Sequence, residues 1–549
     1  MKAVLGVSLR QWRRVLQWVG LFGLCLALAV GCGASQESAT PPDGATTPVG
    51  GRVSVGTTLK ARTLDPADAY EIFPGILLYN MGDRLYTYAP GTTDLVPQLA
   101  TALPTVSEDG LTYTIPLRDG VTFHDGTPFT AASMAFSIQR FMENGGRPSF
   151  LLAEKIASVA ATGDRELTIT LNSPFSAFPA LLSFWGVTPV PVESYEIAAG
   201  SFKPESFVGT GPYKLASFST DSIKLDVNPD YWGDAPSNEG IDIQLFSSPA
   251  NLFNSFQTGN LDVAYQTLDP EQIASLERDA GQEGWSVIEA GTTVVNYLSL
   301  NMKMEPLDNP AVRGAIAAMV DRNLIRDRVF QGQADPLYSM IPKSFDVYQP
   351  VFQEAYGDGN FEQAKELLAS AGFNESNPFE LELWYPSAST IRSIVANTLK
   401  ESIENGLPGI VTVNVQNVEA ASLFENMEKG IYPAVLQNWY PDFFDVDNFV
   451  QPFMSCDQGS PETLCESGAT FSDGTFYYSE RANELIQQQR AELDPEVRNG
   501  MLEELQQLMI QDVPSIPLWQ NKDYVFAQSG IEGVEIQPTQ QFLFWQIAK

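Results

Sequence analysis

The chain has 549 residues, of which 67 are acidic, 32 basic and one histidine, giving a formal charge of −35. That length exceeds one ordinary hydrophobic core and predicts two or three lobes, and a hydrophobic fraction of 44% excludes a disordered chain. The acidity argues against nucleic-acid binding, which needs a basic patch to displace counterions, and against adsorption to an anionic membrane by charge.

The first thirty residues form a separate object. Lys2, Arg10, Arg13 and Arg14 make a basic start, and Val19 to Val30 is almost wholly apolar. The run is too short for a membrane span of about 20 residues and is read as a secretory signal. Arg13-Arg14 fits an ordinary basic n-region, with twin-arginine export as the alternative. The run ends in Leu28-Ala29-Val30-Gly31-Cys32, which resembles a bacterial lipobox with Ala29 in place of the commoner Leu. Residues 1–31 are therefore expected to be a lipoprotein signal peptide, with Cys32 the lipidated mature start. Residues 32–50, rich in Ser, Thr, Pro, Ala and Gly, are expected to be a flexible tether. Cys25 leaves with the signal, so Cys456 and Cys465 remain. An oxidising compartment favours a disulfide between them over a two-cysteine metal site.

Helix and strand patterns alternate through the rest, which reads as α/β. Arg52 to Leu59 alternates like a strand. Ala131, Met134, Ile138 and Phe141 repeat at helix spacing behind a capping Thr130. Asn309-Pro310 opens a helix carrying Val312, Ile316 and Val320, and Ala364 to Ala371 forms a shorter one stopped by Gly372. Ile391, Ile394 and Val395 lead into a helix followed by the strand Val411, Val413, Val415. Asp494-Pro495 starts a late helix with Val497, Met501, Leu505 and Leu508. All these apolar stripes are expected to be core. No sharp linker interrupts residues 51 to 549, which suggests lobes between which the chain crosses more than once.

Catalytic constellations are mostly absent. The single histidine, His124, lies in Phe123-His124-Asp125-Gly126-Thr127-Pro128, a turn sequence that gives it a structural role. Gly209-Thr210-Gly211-Pro212 lacks the Lys-Ser/Thr of a phosphate loop. A glycosidase-like carboxylate pair remains a formal alternative; the reading is that the chain is not an enzyme, and no cofactor or metal is expected.

Several segments together resemble a known family: Thr63-Leu64-Asp65-Pro66-Ala67, Pro97-Gln98-Leu99-Ala100, the long stretch from Leu111 through Phe123-His124-Asp125-Gly126-Thr127-Pro128 to Ala131, Gly209-Thr210-Gly211-Pro212-Tyr213, Asn228-Pro229-Asp230-Tyr231-Trp232, Asn309-Pro310-Ala311-Val312-Arg313 and Asp321-Arg322. These look like the peptide/nickel (family 5) solute-binding proteins of ABC importers, over roughly residues 51 to 549. The resemblance implies an α/β, two-lobed periplasmic-binding-protein clamp with an additional inserted domain. Lobe I would comprise 51–88, 205–292 and 518–549, the inserted domain 89–204, and lobe II 293–517. The expected function is capture of short peptides outside the cytoplasm, in the periplasm or at the outer face of the cell membrane, by a lipid-anchored monomer that serves a permease and ATPase. A sugar, opine or metal chelate is the alternative ligand within the family.

Trp439-Tyr440-Pro441-Asp442 resembles the family's ligand loop, in which the Asp three residues after the Trp pairs with a peptide α-amine. Such an amine has a pKa of about 8 and is largely cationic at neutral pH, so once water is excluded it needs a carboxylate partner. Asp442 is the expected partner. Trp439, Tyr440, Trp384 and Tyr385 are expected to line the pocket, while Asp445 and Asp447 are placed nearer the surface. Dipeptide binders hold the ligand carboxylate with an Arg after the strand matching Leu381–Tyr385. This chain is shorter there, and Arg392 falls on the following helix, which leaves the carboxylate partner open.

Overall fold

The computed structural model describes residues 50–549, except the side chains of residues 420 and 421. The expected signal peptide, Cys32 and almost all of the tether lie outside these residues. Ten strands run side by side in one mixed sheet, and Ala334–Pro336 joins as an eleventh on one of them. From one edge the order is Val411–Val418, Phe379–Pro386, Ala434–Trp439, Ser286–Leu300, Ser515–Ala527, Val263–Tyr265, Val53–Thr57, Gly240–Leu245, Ser222–Val227 and Tyr213–Phe218. A separate four-stranded sheet comprises Thr105–Val106, Thr112–Pro116, Glu166–Leu171 and Ile156–Gly163.

Two strands are far longer than the others, Ser286–Leu300 with 15 residues and Ser515–Ala527 with 13. They pair antiparallel from Ser286↔Ala527 to Gly291↔Lys522, lose register, and resume at Val295↔Gln520. The apolar environment changes across that interruption. Ile288, Val525 and Ala527 pack with one core, whereas Val295, Leu298, Ile516 and Leu518 belong to another that contains only residues from 295 to 519. The first core also takes in Ile115, Leu167 and Phe178, so the four-stranded sheet shares its packing with Val53 and Leu225 of the large one. The molecule is a two-lobed α/β clamp whose lobes are joined by these two strands.

Local sequence explains the helix boundaries. Thr130 Oγ1 accepts from the Ser133 amide at 3.1 Å and Ser133 Oγ accepts from the Thr130 amide at 2.9 Å, a reciprocal cap that starts Ala131–Glu143. Asn309 and Asp494 cap Pro310–Met319 and Pro495–Asp512 in the same position before a proline. Gly372 supplies the left-handed residue just beyond Phe361–Ser370, with φ 93°. Two expected core positions are corrected: Ile394 and Val497 are 44% and 49% exposed. On the late helix the buried stripe is Leu502, Leu505 and Met509, rotated from the one the sequence suggested.

His124 is held as a turn residue. Nδ1 accepts from the Gly209 amide at 3.2 Å and Nε2 lies 3.1 Å from the Gly211 carbonyl. Burial pushes its pKa down to about 4, so the ring is neutral and donates through Nε2. Cys456 and Cys465 are bonded across the hairpin Gln458–Ser460 and Leu464–Ser467, with a Cα–Cα distance of 5.6 Å.

Asp65, in the Thr63–Ala67 motif, makes two 2.7 Å bonds to the guanidinium of Arg140, and both side chains are almost wholly buried. The second carboxylate oxygen also accepts from the Lys203 amide at 2.7 Å. The pair thus ties three separate stretches together, and removing one partner strands a buried charge. Asp65→Ala is expected to cost about 3–5 kcal/mol, read from the urea midpoint at unchanged m-value; a loss below about 1 kcal/mol would show that the pair is not holding the lobe.

Candidate functional site

The strand Ala434–Trp439 lies inside the large sheet next to the long strand Ser286–Leu300. The chain leaves it through Tyr440-Pro441-Asp442 and turns into the helix Asp447–Met454. Asn448 shapes this exit, its Oδ1 accepting from the Asp442 amide at 2.9 Å and from Trp439 Nε1 at 3.3 Å. The Asp442 carboxylate then points across the lobes, where Tyr70 Oη donates to its Oδ1 at 2.6 Å. Tyr70 is itself packed edge-on against Phe150 and Phe184. Burial raises the Asp442 pKa to about 6, although the Tyr70 bond and the charge of Lys155 act the other way. Lys155 is held below its usual range, first by burial and then by the neighbouring Arg490. Asp442 forms no ion pair with any described residue.

The loop beyond Asp442 crosses to the other lobe. Phe443 belongs to the first core and meets Phe175 edge-to-face at 5.9 Å, and Phe444 meets Tyr88 at 5.4 Å. Asp445 and Asp447, expected near the surface, are instead engaged in the fold. Asp447 is buried and bidentate to Arg490 at 2.7 and 2.8 Å, and Asp445 pairs with Arg498. The guanidinium groups neutralise both acids, so neither is free to bind a metal. Among the described residues no group of three or more His, Cys, Asp or Glu is arranged to hold a metal ion.

Asp442 faces a cavity of about 580 Å³ between the lobes, within the size range of small-molecule sites. Tyr70, Phe150 and Lys155 line one side, and Tyr297, Trp439 and Asp473 the other. Trp439 and Tyr440 of the expected site are here, with Tyr440 45% exposed. Tyr385 and Trp384 do not line this cavity. Alternation along Phe379–Pro386 turns Tyr385 to the second core and Trp384 to the opposite face, where its ring meets Tyr432 at 4.7 Å with the planes tilted by 41°.

A second cavity, of about 340 Å³, shares Asn438 and Tyr440 with the first and contains Arg392. Arg392 Nη2 donates to Asn438 Oδ1, and among the described residues its Nε is buried without a partner and it meets no carboxylate. No motif or spacing points to Tyr70, Lys155, Asp473 or Arg490, which reach the site only through long-range packing.

This geometry, a cleft between lobes joined by two strands, agrees with comparison to known proteins. Residues 94–461 match the bacterial extracellular solute-binding proteins, family 5 (middle). The chain belongs to that family. As a family 5 protein it is a substrate-binding component of an ABC importer, acting outside the cytoplasm, and not an enzyme. The glutathione-binding protein GsiB of Escherichia coli (strain K12) is 27% identical over 505 residues, covering 90% of this chain and 93% of its own. Among solved structures, HbpA2 from Haemophilus parasuis superposes with a TM-score of 0.78 at 22% identity, covering 90% of this chain and 99% of its own. The periplasmic binding protein DppA from Helicobacter pylori, in complex with the peptide STSA, gives 0.72 at 22% identity over 91% and 98%. Among the described residues no helix is long and apolar enough to cross a membrane.

The raised pKa of Asp442 has a stability consequence of definite sign. The folded chain holds this proton to about pH 6, against an ordinary value of 3.8. The ionised carboxylate therefore costs nothing below about pH 4, and its cost grows as the pH rises to 6 and persists above. Without ligand, Asp442→Asn is expected to stabilise the protein at pH 7.5, on the order of 1–3 kcal/mol. The gain should vanish near pH 4 in scanning calorimetry, and a gain independent of pH would contradict the assignment.

Proposed function

We propose that this family 5 protein is a lipid-anchored receptor that captures short peptides between its lobes and delivers them, as a monomer, to a permease and its ATPase. The observation that carries the reading is Asp442, a carboxylate facing an interlobe cavity with a tyrosine donor from the opposite lobe and, among the described residues, no ion pair. A peptide α-amine is the complementary group: cationic, rich in donors and small enough to sit beside Tyr70. Trp439 and Tyr440 flank the ligand backbone. Arg392, in the adjoining cavity, is the cation for the ligand's carboxylate.

In this reading lobe I comprises 51–88, 205–292 and 518–549, the inserted domain 89–204, and lobe II 293–517. The change of core along the strand Ser286–Leu300 supports the limit near 292, and the separate four-stranded sheet supports an inserted domain; on the strand Ser515–Ala527 the second core runs on to Trp519, two residues past the limit given for lobe II. Cys32 would carry the lipid, with the tether spacing the clamp from the membrane.

Calorimetric titration of the soluble chain beginning after Cys32, stripped of co-purified ligand, tests the site with di- to pentapeptides and glutathione. Asp442→Ala is expected to weaken peptide binding by about 30- to several-thousand-fold, the cost of truncating one partner of a buried charge pair. Binding that survives the substitution moves the amine site elsewhere, and no binding to any peptide removes the peptide reading. For the anchor, the full-length chain expressed in a bacterial host should partition into detergent on phase separation, and Cys32→Ala should leave it unprocessed and without lipid label. Lipid labelling that persists in the variant would exclude Cys32.

A further inference from the structure

The main cavity carries more negative charge than one peptide amine requires. Five carboxylates line it, those of Glu154, Asp442, Asp447, Asp457 and Asp473, against the two cations Lys155 and Arg490. Arg490 is already committed to Asp447 by two hydrogen bonds. Glu154 and Asp457 are exposed at the rim, where water screens them. Asp473 is different. It follows the short helix Ala469–Ser472, and its Oδ1 accepts from Tyr297 Oη at 2.7 Å and lies 3.5 Å from Gln437 Nε2. Its Oδ2 is shielded from solvent, and among the described residues it has no hydrogen-bond partner and no lysine or arginine pairs with it. Holding Tyr297 needs a single acceptor oxygen, which a neutral amide would provide equally well. A carboxylate with one oxygen unsatisfied is costly in such a place unless a cation arrives to compensate it.

We infer that Asp473 forms a subsite for a second cationic group, so that the cavity selects peptides bearing a basic side chain. The inference rests on the peptide reading above and sharpens it: the α-amine meets Asp442, and the ammonium or guanidinium of a lysine or arginine side chain meets Asp473. Tyr297 orients the carboxylate from the core side, and Gln437, on the strand that leads to Trp439, flanks it. The burial that raises the Asp473 pKa to about 7 has the same origin as that of Asp442: desolvation of a carboxylate that no ion pair compensates among the described residues. A ligand with one amine and two carboxylates, such as glutathione, leaves Asp473 uncompensated and brings extra negative charge beside it.

The test uses the soluble chain and matched tripeptides in which one residue is lysine or its uncharged isostere norleucine, varied over the three positions, with glutathione in parallel. For at least one position the lysine peptide should bind at least about tenfold tighter than the norleucine peptide, and tighter than glutathione. Asp473→Asn should bring the lysine-to-norleucine ratio to within about twofold of one, whereas Asp442→Asn should weaken both peptides and preserve the ratio. A wild-type ratio near one at every position overturns the subsite even if peptides bind. A ratio unchanged in Asp473→Asn also overturns it and leaves peptide capture standing. Failure of every peptide to bind removes the function and the subsite together. Should Asp473→Asn not fold, the wild-type ratio and the Asp442→Asn control still decide the matter.

Discussion

The structure turns on two antiparallel strands that belong to both lobes. Ser286–Leu300 and Ser515–Ala527 enter one core at one end and leave through the other, and their register breaks between Gly291 and Val295. Backbone groups that lose ladder partners there find side chains instead: Gln520 Nε2 donates to the Thr292 carbonyl, and Thr292 Oγ1 to the Asn521 carbonyl. Such a break satisfies buried polar groups without fixing the angle between the ladders. Two covalent crossings with a pliable middle suit a clamp, because they keep the lobes together while rotation changes the width of the cleft.

Charge is handled differently in the scaffold and in the cleft. Asp65 meets Arg140, and Asp447 meets Arg490, each with full bidentate geometry. These buried acids carry their own counter-ions and are finished parts of the fold. Asp442 and Asp473 are desolvated to a comparable degree but are left with neutral donors, tyrosines in both cases. A tyrosine orients a carboxylate without cancelling its charge, which suits a group whose counter-ion is to come from outside. The empty protein bears the electrostatic cost, and the cationic ligand proposed above would relieve it.

Much of this was legible from sequence because it is local. Caps at Thr130, Asn309 and Asp494 follow from residues within a few positions, whereas His124 meets its partners Gly209 and Gly211 more than eighty positions away. The loop proposed to meet the ligand stood out because Trp439 and Asp442 are three residues apart. What escaped were contacts set by packing at a distance. Tyr70 reaches Asp442 across 372 positions, and neither residue type nor spacing announces such a meeting. Asp445 and Asp447 read as solvated acids because their partners, Arg498 and Arg490, lie on helices some fifty and forty residues away. Trp384 and Tyr385 read as a pair of pocket aromatics, yet neighbours on a strand point to opposite faces, and neither reached the cavity.

The placement of Phe443 and Phe444 bears on how a cargo leaves. Both rings follow directly on Asp442 and are seated against the opposite lobe, beside Phe175 and Tyr88. Any parting of the lobes that withdraws the loop must expose them, at about 1.5–3 kcal/mol for each ring. Unloading is therefore work rather than simple dissociation, and the membrane complex that receives the cargo is the natural source of that work. The same two rings that make the closed clamp patient in free solution make it responsive to a docking partner able to pry the loop from its seat.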